Sequence, residues 1–347
     1  MEIKYPLELG VLVTTLCNFR CVHCSSVQPS MPPIHMPPEM VFDIIEEAEE
    51  LGVLNINITG GEPFLHPNIW EILKRILDGE MQLHLNSNFS IPDKRQIEDL
   101  ATLLYGGHLD VTVHASKTNF YKFTGAPSRI YTKVIENITY AYDLGIDVGV
   151  AITVNNMNKS SLTEIIRDIR GISDEIPIVI TLTHPTGRAL KNWDKLEFNE
   201  REVEKLIVNS GFKNILLQRH YPTYNFTPEY LKRVKLSGIE ITGCPCGTFS
   251  TFIWPDGRCT WCPYSVEKPF VMGMFRGKGD LLKVWKRRQP DGVKINRDLL
   301  IECRGCPFHS VCRGGCPIDA KNLTGSIYKR DPFCVKYLGD LPWKYYL

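Results

Sequence analysis

The sequence predicts an α/β fold: a parallel sheet of βα units with a small cysteine-rich region behind it. Three observations carry that prediction. Strand and helix signals alternate through the first two thirds of the 347 residues, cysteines fall only towards the two ends, and the conspicuous polar motifs sit where predicted strands stop.

The elements follow in order. Residues 8–15 read as a strand, and "PPEMVFDIIEEAEELG" as a helix, with Pro38 suited to its first turn and Gly52 past its end. Val41, Ile44, Ile45 and Ala48 keep the i, i+3, i+4, i+7 period of an amphipathic helix. "VLNINIT" (53–59) is a second strand, and "NIWEILKRILDG" repeats the helical period through Ile69, Ile72, Leu73 and Ile76. Further strands are expected at 81–86, 109–114, 146–154 and 176–183, with helices between them. Six βα units in a row imply right-handed crossovers and a parallel sheet, open or curled into a barrel. In either form ligands bind beyond the carboxyl ends of the strands. The cysteine loop, "TGGEP", "NSN" and "HAS" end the first four strands in turn.

After residue 215 the rhythm breaks. "QRHYPTYNFTPEY" reads as a linker, "FSTFIWPDGRCTWCPY" as a hairpin turning at Pro255-Asp256-Gly257, and "CRGCPFHSVCRGGCP" has too little apolar surface to fold without metal.

Bulk properties narrow the function. Lys+Arg 40 against Asp+Glu 39 gives a net charge of +1, which carries no global footprint for nucleic acid or an acidic membrane surface. The basic residues between Arg276 and Arg297 read as a solvated helix face. No stretch spans a bilayer and the N-terminus has no signal-peptide pattern, so a cytoplasmic location is expected. In that compartment the 12 cysteines are not disulfides; their clustering points to two metal-bearing regions.

"CNFRCVHC" spaces Cys17, Cys21 and Cys24 as C-x₃-C-x₂-C. Three thiolates in one loop suit three irons of a [4Fe–4S] cluster and leave the fourth open. The competing reading is a structural zinc site that borrows His23 or a later cysteine. "CNFRCVHC" followed by "TGGEP" resembles the radical S-adenosylmethionine (radical SAM) enzymes, and the likeness covers roughly residues 8–215. It implies a partial (β/α)6 TIM-like barrel in which Cys17, Cys21 and Cys24 hold a cluster whose open iron binds SAM. An electron from the reduced cluster then splits the sulfonium, and a 5′-deoxyadenosyl radical abstracts hydrogen from substrate.

The resemblance also implies roles for other residues. Gly60 and Gly61 let the backbone approach the ligand, Glu62 takes the methionine amino group, and Pro63 stiffens the turn. His23 packs on adenine, and Ser87 and Asn88 occupy the ribose region. His114 and Ser116 stand where the family often has a Ser-x-Asp-like turn, here without the aspartate. Asn155 and Arg188, in "THPTGRA", match SAM-contacting ends of strands five and six.

The nine rear cysteines resemble the SPASM extension of these enzymes, a small Cys-rich domain with two auxiliary [4Fe–4S] clusters. By that likeness Cys303, Cys306, Cys312 and Cys334 hold the distal cluster. Cys316 joins Cys262 and the Cys244–Cys246 pair in the proximal one, with Cys259 spare. The expected organisation is a radical SAM barrel over 1–215, a linker over 216–243 and a SPASM domain over 244–347. Pro263 and Tyr264 follow Cys262, where sulfatase-maturing relatives carry an acidic base. Three [4Fe–4S] clusters and SAM are therefore the expected cofactors. The expected partners are a peptide or small-molecule substrate and an electron donor such as a flavodoxin or ferredoxin. With no leader-binding segment ahead of strand one, either a separate leader-binding protein delivers a peptide or the substrate is small. Tetrapyrrole side-chain chemistry is the alternative within the family; a non-catalytic zinc-stapled binding protein is the alternative outside it.

Overall fold

The computed structural model describes residues 4–25, 31–198, 200–218, 239–242, 249–287, 300–306 and 314–334. Cys244, Cys246 and Cys312 lie outside them. One 11-stranded sheet runs through the described residues. Its first six strands are β1 (Glu8–Thr14), β2 (Asn55–Gly60), β3 (Gln82–Ser87), β4 (His108–Thr112), β5 (Asp147–Val154) and β6 (Ile178–Leu182), each parallel to the next. The helices between them are α1 (Pro38–Leu51), α2 (Ile69–Leu77), α3 (Lys94–Leu103), α4 (Phe120–Thr124), α5 (Ser128–Asp143) and α6 (Leu162–Arg170). Every apolar position picked out by period on α1 and α2 is buried. Pro38 starts α1, and Gly52 closes it in the left-handed region at φ 80°.

Two parallel strands continue beyond the expected six, β7 (Ile215–Gln218) and β8 (Ile239–Thr242). The second lies inside the interval read as a linker. On the other edge β9 (Ser250–Ile253) runs parallel to β1, with Leu9 opposite Thr251. The antiparallel strands β10 (Arg258–Thr260) and β11 (Val271–Met274) follow outward. The expected hairpin is therefore β9–β10, and Gly257 turns it at φ 84°. The strand order ends on β11 and β8, so the sheet stays open as a partial barrel.

After β6 come α7 (Gly187–Lys191), α8 (Trp193–Leu196) and α9 (Glu200–Ser210). The described rear elements are α10 (Asp280–Arg287) and α11 (Pro317–Thr324). The basic stretch behaves as expected where it is described: α10 buries Leu281, Val284 and Trp285 and leaves Lys286 and Arg287 exposed. No helix among the described residues is long and apolar enough to cross a membrane.

Candidate active site

The loop after β1 carries Cys17, Cys21 and Cys24, all half-buried. Two helices clamp its backbone. From α4, the carbonyls of Thr124 and Phe123 accept the N–H groups of Arg20 (2.7 Å) and Val22 (3.0 Å). From α7, Arg188 donates its N–H to the Cys24 carbonyl (2.9 Å) and Nη1 to the Cys21 carbonyl (2.8 Å). Asn192 Nδ2 donates to the Val22 carbonyl at 3.0 Å. Thiols held this way cannot disperse. Burial pushes Cys17 up to about 12, with the charges of Glu62 and Cys24 adding to it. Burial and the two neighbouring thiols push Cys21 up as well. Three thiols crowded in one loop suit a polynuclear cation, whose charge favours the thiolate form.

"TGGEP" forms the next wall. Gly61 donates its N–H to the Thr14 carbonyl and Glu62 its N–H to the Leu16 carbonyl, both at 2.7 Å. A Cβ on Gly60 would strike the Thr14 carbonyl and one on Gly61 the Leu16 carbonyl, so Gly60 makes room for the end of β1 and Gly61 for the cysteine loop. On the Cβ side of each glycine the close neighbour is the chain itself. Pro63 opens a short 3₁₀ turn and is buried.

Glu62 is fully buried. Its Oε1 accepts from the Ser87 hydroxyl (2.7 Å) and the Phe64 N–H (3.2 Å), and its Oε2 from the Asn88 N–H (2.8 Å). Burial raises its pKa to about 7 against those bonds. A carboxylate so starved of water favours a cationic partner. Asn88 Nδ2 donates to Asn18 Oδ1 (2.8 Å) and lies 3.9 Å from Cys17 Sγ, which joins the carboxylate to the cysteine loop. Phe89 follows at φ 54°, a left-handed backbone that a phenylalanine adopts only under constraint.

The buried His23 ring stacks on Phe123 (centroids 4.6 Å, 26°) and meets His114 edge-on at 4.4 Å. Its Nδ1 has no hydrogen-bond partner among the described residues, and burial holds its pKa well below the usual value. His114 Nδ1 accepts from the Thr153 N–H at 3.0 Å, and burial lowers it to about 4. Burial therefore keeps both rings neutral at neutral pH.

Cys17, Cys21, Cys24, His23, Glu62, Ser87, Asn88, His114 and Arg188 thus gather at the carboxyl ends of the strands. Two further expected residues, Asn155 and Ser116, are fully buried and bonded to neighbouring side chains or backbone. Asn155 donates to Thr183 Oγ1 (3.0 Å) and accepts from the Met157 N–H (3.0 Å). Ser116 bonds Thr118 Oγ1 at 3.1 Å. Asn18, which also donates to Ser90 Oγ at 2.9 Å, was not singled out in the sequence.

The rear cysteines separate into two kinds. Cys259 is fully buried in the main core, near Met272 and Phe275, and burial pushes its thiol up to about 12. Cys262 and Cys316 share a second apolar cluster with Phe270, Ile318 and Ile327. Asp331 accepts the Cys316 N–H at 2.7 Å, and its own carbonyl accepts the Cys334 N–H at 3.0 Å. Glu302 accepts the Arg330 N–H at 2.9 Å, which ties the Cys303–Cys306 turn to the segment carrying Cys334. Sequence patterns also missed His184 and Asp319, paired at 2.9 Å although 135 positions apart in the chain. An aspartate three places after a cysteine was the only local signal.

Residues 11–169 match the radical SAM superfamily. The chain is 26% identical to the mycofactocin maturase MftC of Mycobacterium tuberculosis (strain ATCC 25618 / H37Rv) over 95% of its own length and 83% of that protein. It is 29% identical to a probable GTP 3′,8-cyclase of Saccharolobus islandicus (strain M.14.25 / Kamchatka #1) over 83% of its length and 90% of that protein. In fold it resembles Streptococcus suis SuiB bound to its precursor peptide SuiA, with a TM-score of 0.71 at 17% identity, covering 96% of this chain and 76% of the other.

Proposed function

We propose that this chain, a radical SAM enzyme, modifies a peptide substrate by abstracting hydrogen from one of its C–H bonds, with auxiliary [4Fe–4S] clusters held by the rear cysteines. The observation that carries the reading is the placement of Glu62. A buried carboxylate stands one residue's reach from a loop of three confined thiols, so an ammonium group and an iron centre can be held side by side.

Cys17, Cys21 and Cys24 would hold the cluster, and Glu62 the amino group of SAM. When bound, the pair supplies one-electron cleavage of the sulfonium and hence a radical able to take hydrogen from carbon. The chain's own residues do the rest. Ser87 and the Asn88 N–H orient Glu62, Arg188 fixes the cysteine loop, and His23 offers a neutral ring for adenine. The buried surroundings exclude water from the reacting atoms.

For the rear region, Cys262 and Cys316 with the Cys244–Cys246 pair would hold one auxiliary cluster, and Cys303, Cys306, Cys312 and Cys334 the other. The core position of Cys259 supports leaving it out. The peptide reading draws support from the maturase relative and from the fold shared with a protein solved with a precursor peptide; neither alternative draws any from these relatives. A flavodoxin- or ferredoxin-like donor and a separate leader-binding protein complete the reading.

Protein reconstituted without oxygen, then given dithionite and SAM, should release 5′-deoxyadenosine and contain about twelve irons per chain. The triple variant Cys17→Ala, Cys21→Ala, Cys24→Ala should release none while keeping the rear iron. Release that continues in that variant would contradict the assignment, and zinc at about two or three per chain would favour the binding-protein reading.

A further inference from the structure

We infer that Asn137 and Lys133, on α5, are positioning residues for SAM binding, which hold the loop after β3 so that Ser87 and Asn88 face Glu62. The inference rests on the reading of Glu62 given above. Lys133 and Asn137 stand one helical turn apart on α5 and reach the same loop. Together they take four successive carbonyls. Asn137, itself buried, donates Nδ2 to the carbonyls of Phe89 (2.9 Å) and Pro92 (3.1 Å). Lys133 donates Nζ to those of Ser90 (2.7 Å) and Ile91 (3.2 Å).

Two hydrogen-bonded routes lead from this loop into the site. Phe89 donates its N–H to Ser87 Oγ at 2.8 Å, and that hydroxyl donates to Glu62 Oε1 at 2.7 Å. Asn88, between them, donates its N–H to Glu62 Oε2 at 2.8 Å. Ser90 leads towards the cysteine loop. Its Oγ accepts from Asn18 Nδ2 at 2.9 Å, and Asn18 Oδ1 accepts from Asn88 Nδ2 at 2.8 Å. Fixing these carbonyls therefore fixes both donors to the carboxylate.

The anchor matters because Phe89, fully buried, stands at φ 54°. A phenylalanine returns to negative φ unless its surroundings forbid it. The far end of the loop is fixed by Asp93, the N-cap of α3, whose side chain accepts the Gln96 N–H at 2.9 Å. With both ends held, relaxation at Phe89 turns the peptide that joins it to Asn88. The Phe89 N–H then leaves Ser87 Oγ, and Glu62 loses an oriented donor. Asn137 and Lys133 oppose that turn from the carbonyl side, without touching Glu62.

The test uses the full chain, reconstituted without oxygen, and reads SAM affinity by equilibrium dialysis beside iron content, melting temperature and amide exchange over 86–93. Asn137→Leu should keep its iron, speed exchange at Asn88 and Phe89, and weaken SAM binding about threefold to tenfold. Lys133→Met should weaken it too, and Lys133→Arg, which keeps the donors, should not. The control is Tyr131→Phe, which removes the α5 bond to Asp168. It should lower the melting temperature and leave SAM affinity unchanged. Wild-type affinity in Asn137→Leu, or an equal loss in Tyr131→Phe, overturns the inference. If Asn137→Leu does not fold, the Lys133 pair decides, and equal affinities in Met and Arg overturn it. Glu62→Gln separates the two levels. If that variant binds SAM normally, the reading of Glu62 falls and the inference with it; if it loses SAM while the α5 variants do not, the inference alone falls.

Discussion

The hydroxyl of Ser87 donates to Glu62 Oε1 across 2.7 Å, and both residues are buried at the ends of adjacent strands. That bond favours the ionised acid, whereas burial opposes it and leaves Glu62 at about 7. Ser87→Ala should therefore raise the pKa further, weaken SAM binding at pH 7 and recover much of it at pH 8.5. Glu62→Gln should lose about tenfold to a hundredfold in affinity, the worth of a hydrogen bond to a charged group, at every pH. Equilibrium dialysis of reconstituted protein with SAM distinguishes the two; a Gln variant that binds normally would remove Glu62 from the site.

Gly61→Ala tests the seating of the cysteine loop. The added methyl would meet the Leu16 carbonyl carbon at 2.5 Å and that of Thr15 at 3.0 Å. Backbone, unlike a side-chain tip, cannot turn aside. We expect a stability loss of about 1–3 kcal/mol and a much reduced front-cluster iron content, with the sheet intact by circular dichroism. Full iron loading and unchanged melting would show that the loop has slack.

Cys259→Val and Cys262→Ala should part company. Cys259 lies in the main core, Cys262 in the cluster around Cys316. The first variant should keep its iron and melt within a few degrees of wild type, since it trades one small buried apolar group for another. The second should lose iron from the rear region. Equal iron loss in both would make Cys259 a ligand.

Glu47 joins the rear region to the barrel. This buried α1 carboxylate accepts the N–H groups of Gly279 (2.8 Å), Leu281 (3.1 Å) and Leu282 (3.1 Å), the unsatisfied donors at the start of α10. Glu47→Ala leaves them buried without that partner and should cost about 1–3 kcal/mol. Limited proteolysis should then cut around 276–287 faster than in wild type. No change in either would mean that the apolar face of α10 suffices.

A surface cluster far from the site sets a pH dependence. Asp110 at 3.3 Å and Asp147 at 2.8 Å raise His108 to about 9. A histidine held protonated by the fold stabilises it fully below the unfolded value near 6.5 and loses that contribution as pH rises through about 9. The melting temperature of wild type should fall from pH 6 to 9.5 more than that of His108→Gln. Parallel curves would leave His108 without a measurable share.

Much of this molecule was legible without coordinates because its information is local. The periods on α1 and α2 named their buried faces, since a residue's place on a helix depends only on its neighbours in sequence. The C-x₃-C-x₂-C loop and "TGGEP" were readable for the same reason: each is a few residues long and sits at a strand end. Cys17, Cys21, Cys24 and Glu62 stood out by residue type and order; the roles expected of them came from the resemblance to a known family.

Tertiary structure alone decided the rest. It fitted Gly61 to the cysteine loop, bonded Asn155 to Thr183, and placed Cys259 in the core apart from Cys262. It continued the sheet past the expected six strands at one edge and added β9 beside β1 at the other. It set Asp319 against His184, and Glu47 against the start of α10, across long stretches of chain. The physical reason is the same in each case. Periodicity and motif spacing record what a residue does to its neighbours along the chain, whereas burial and partnership depend on which distant segment packs there.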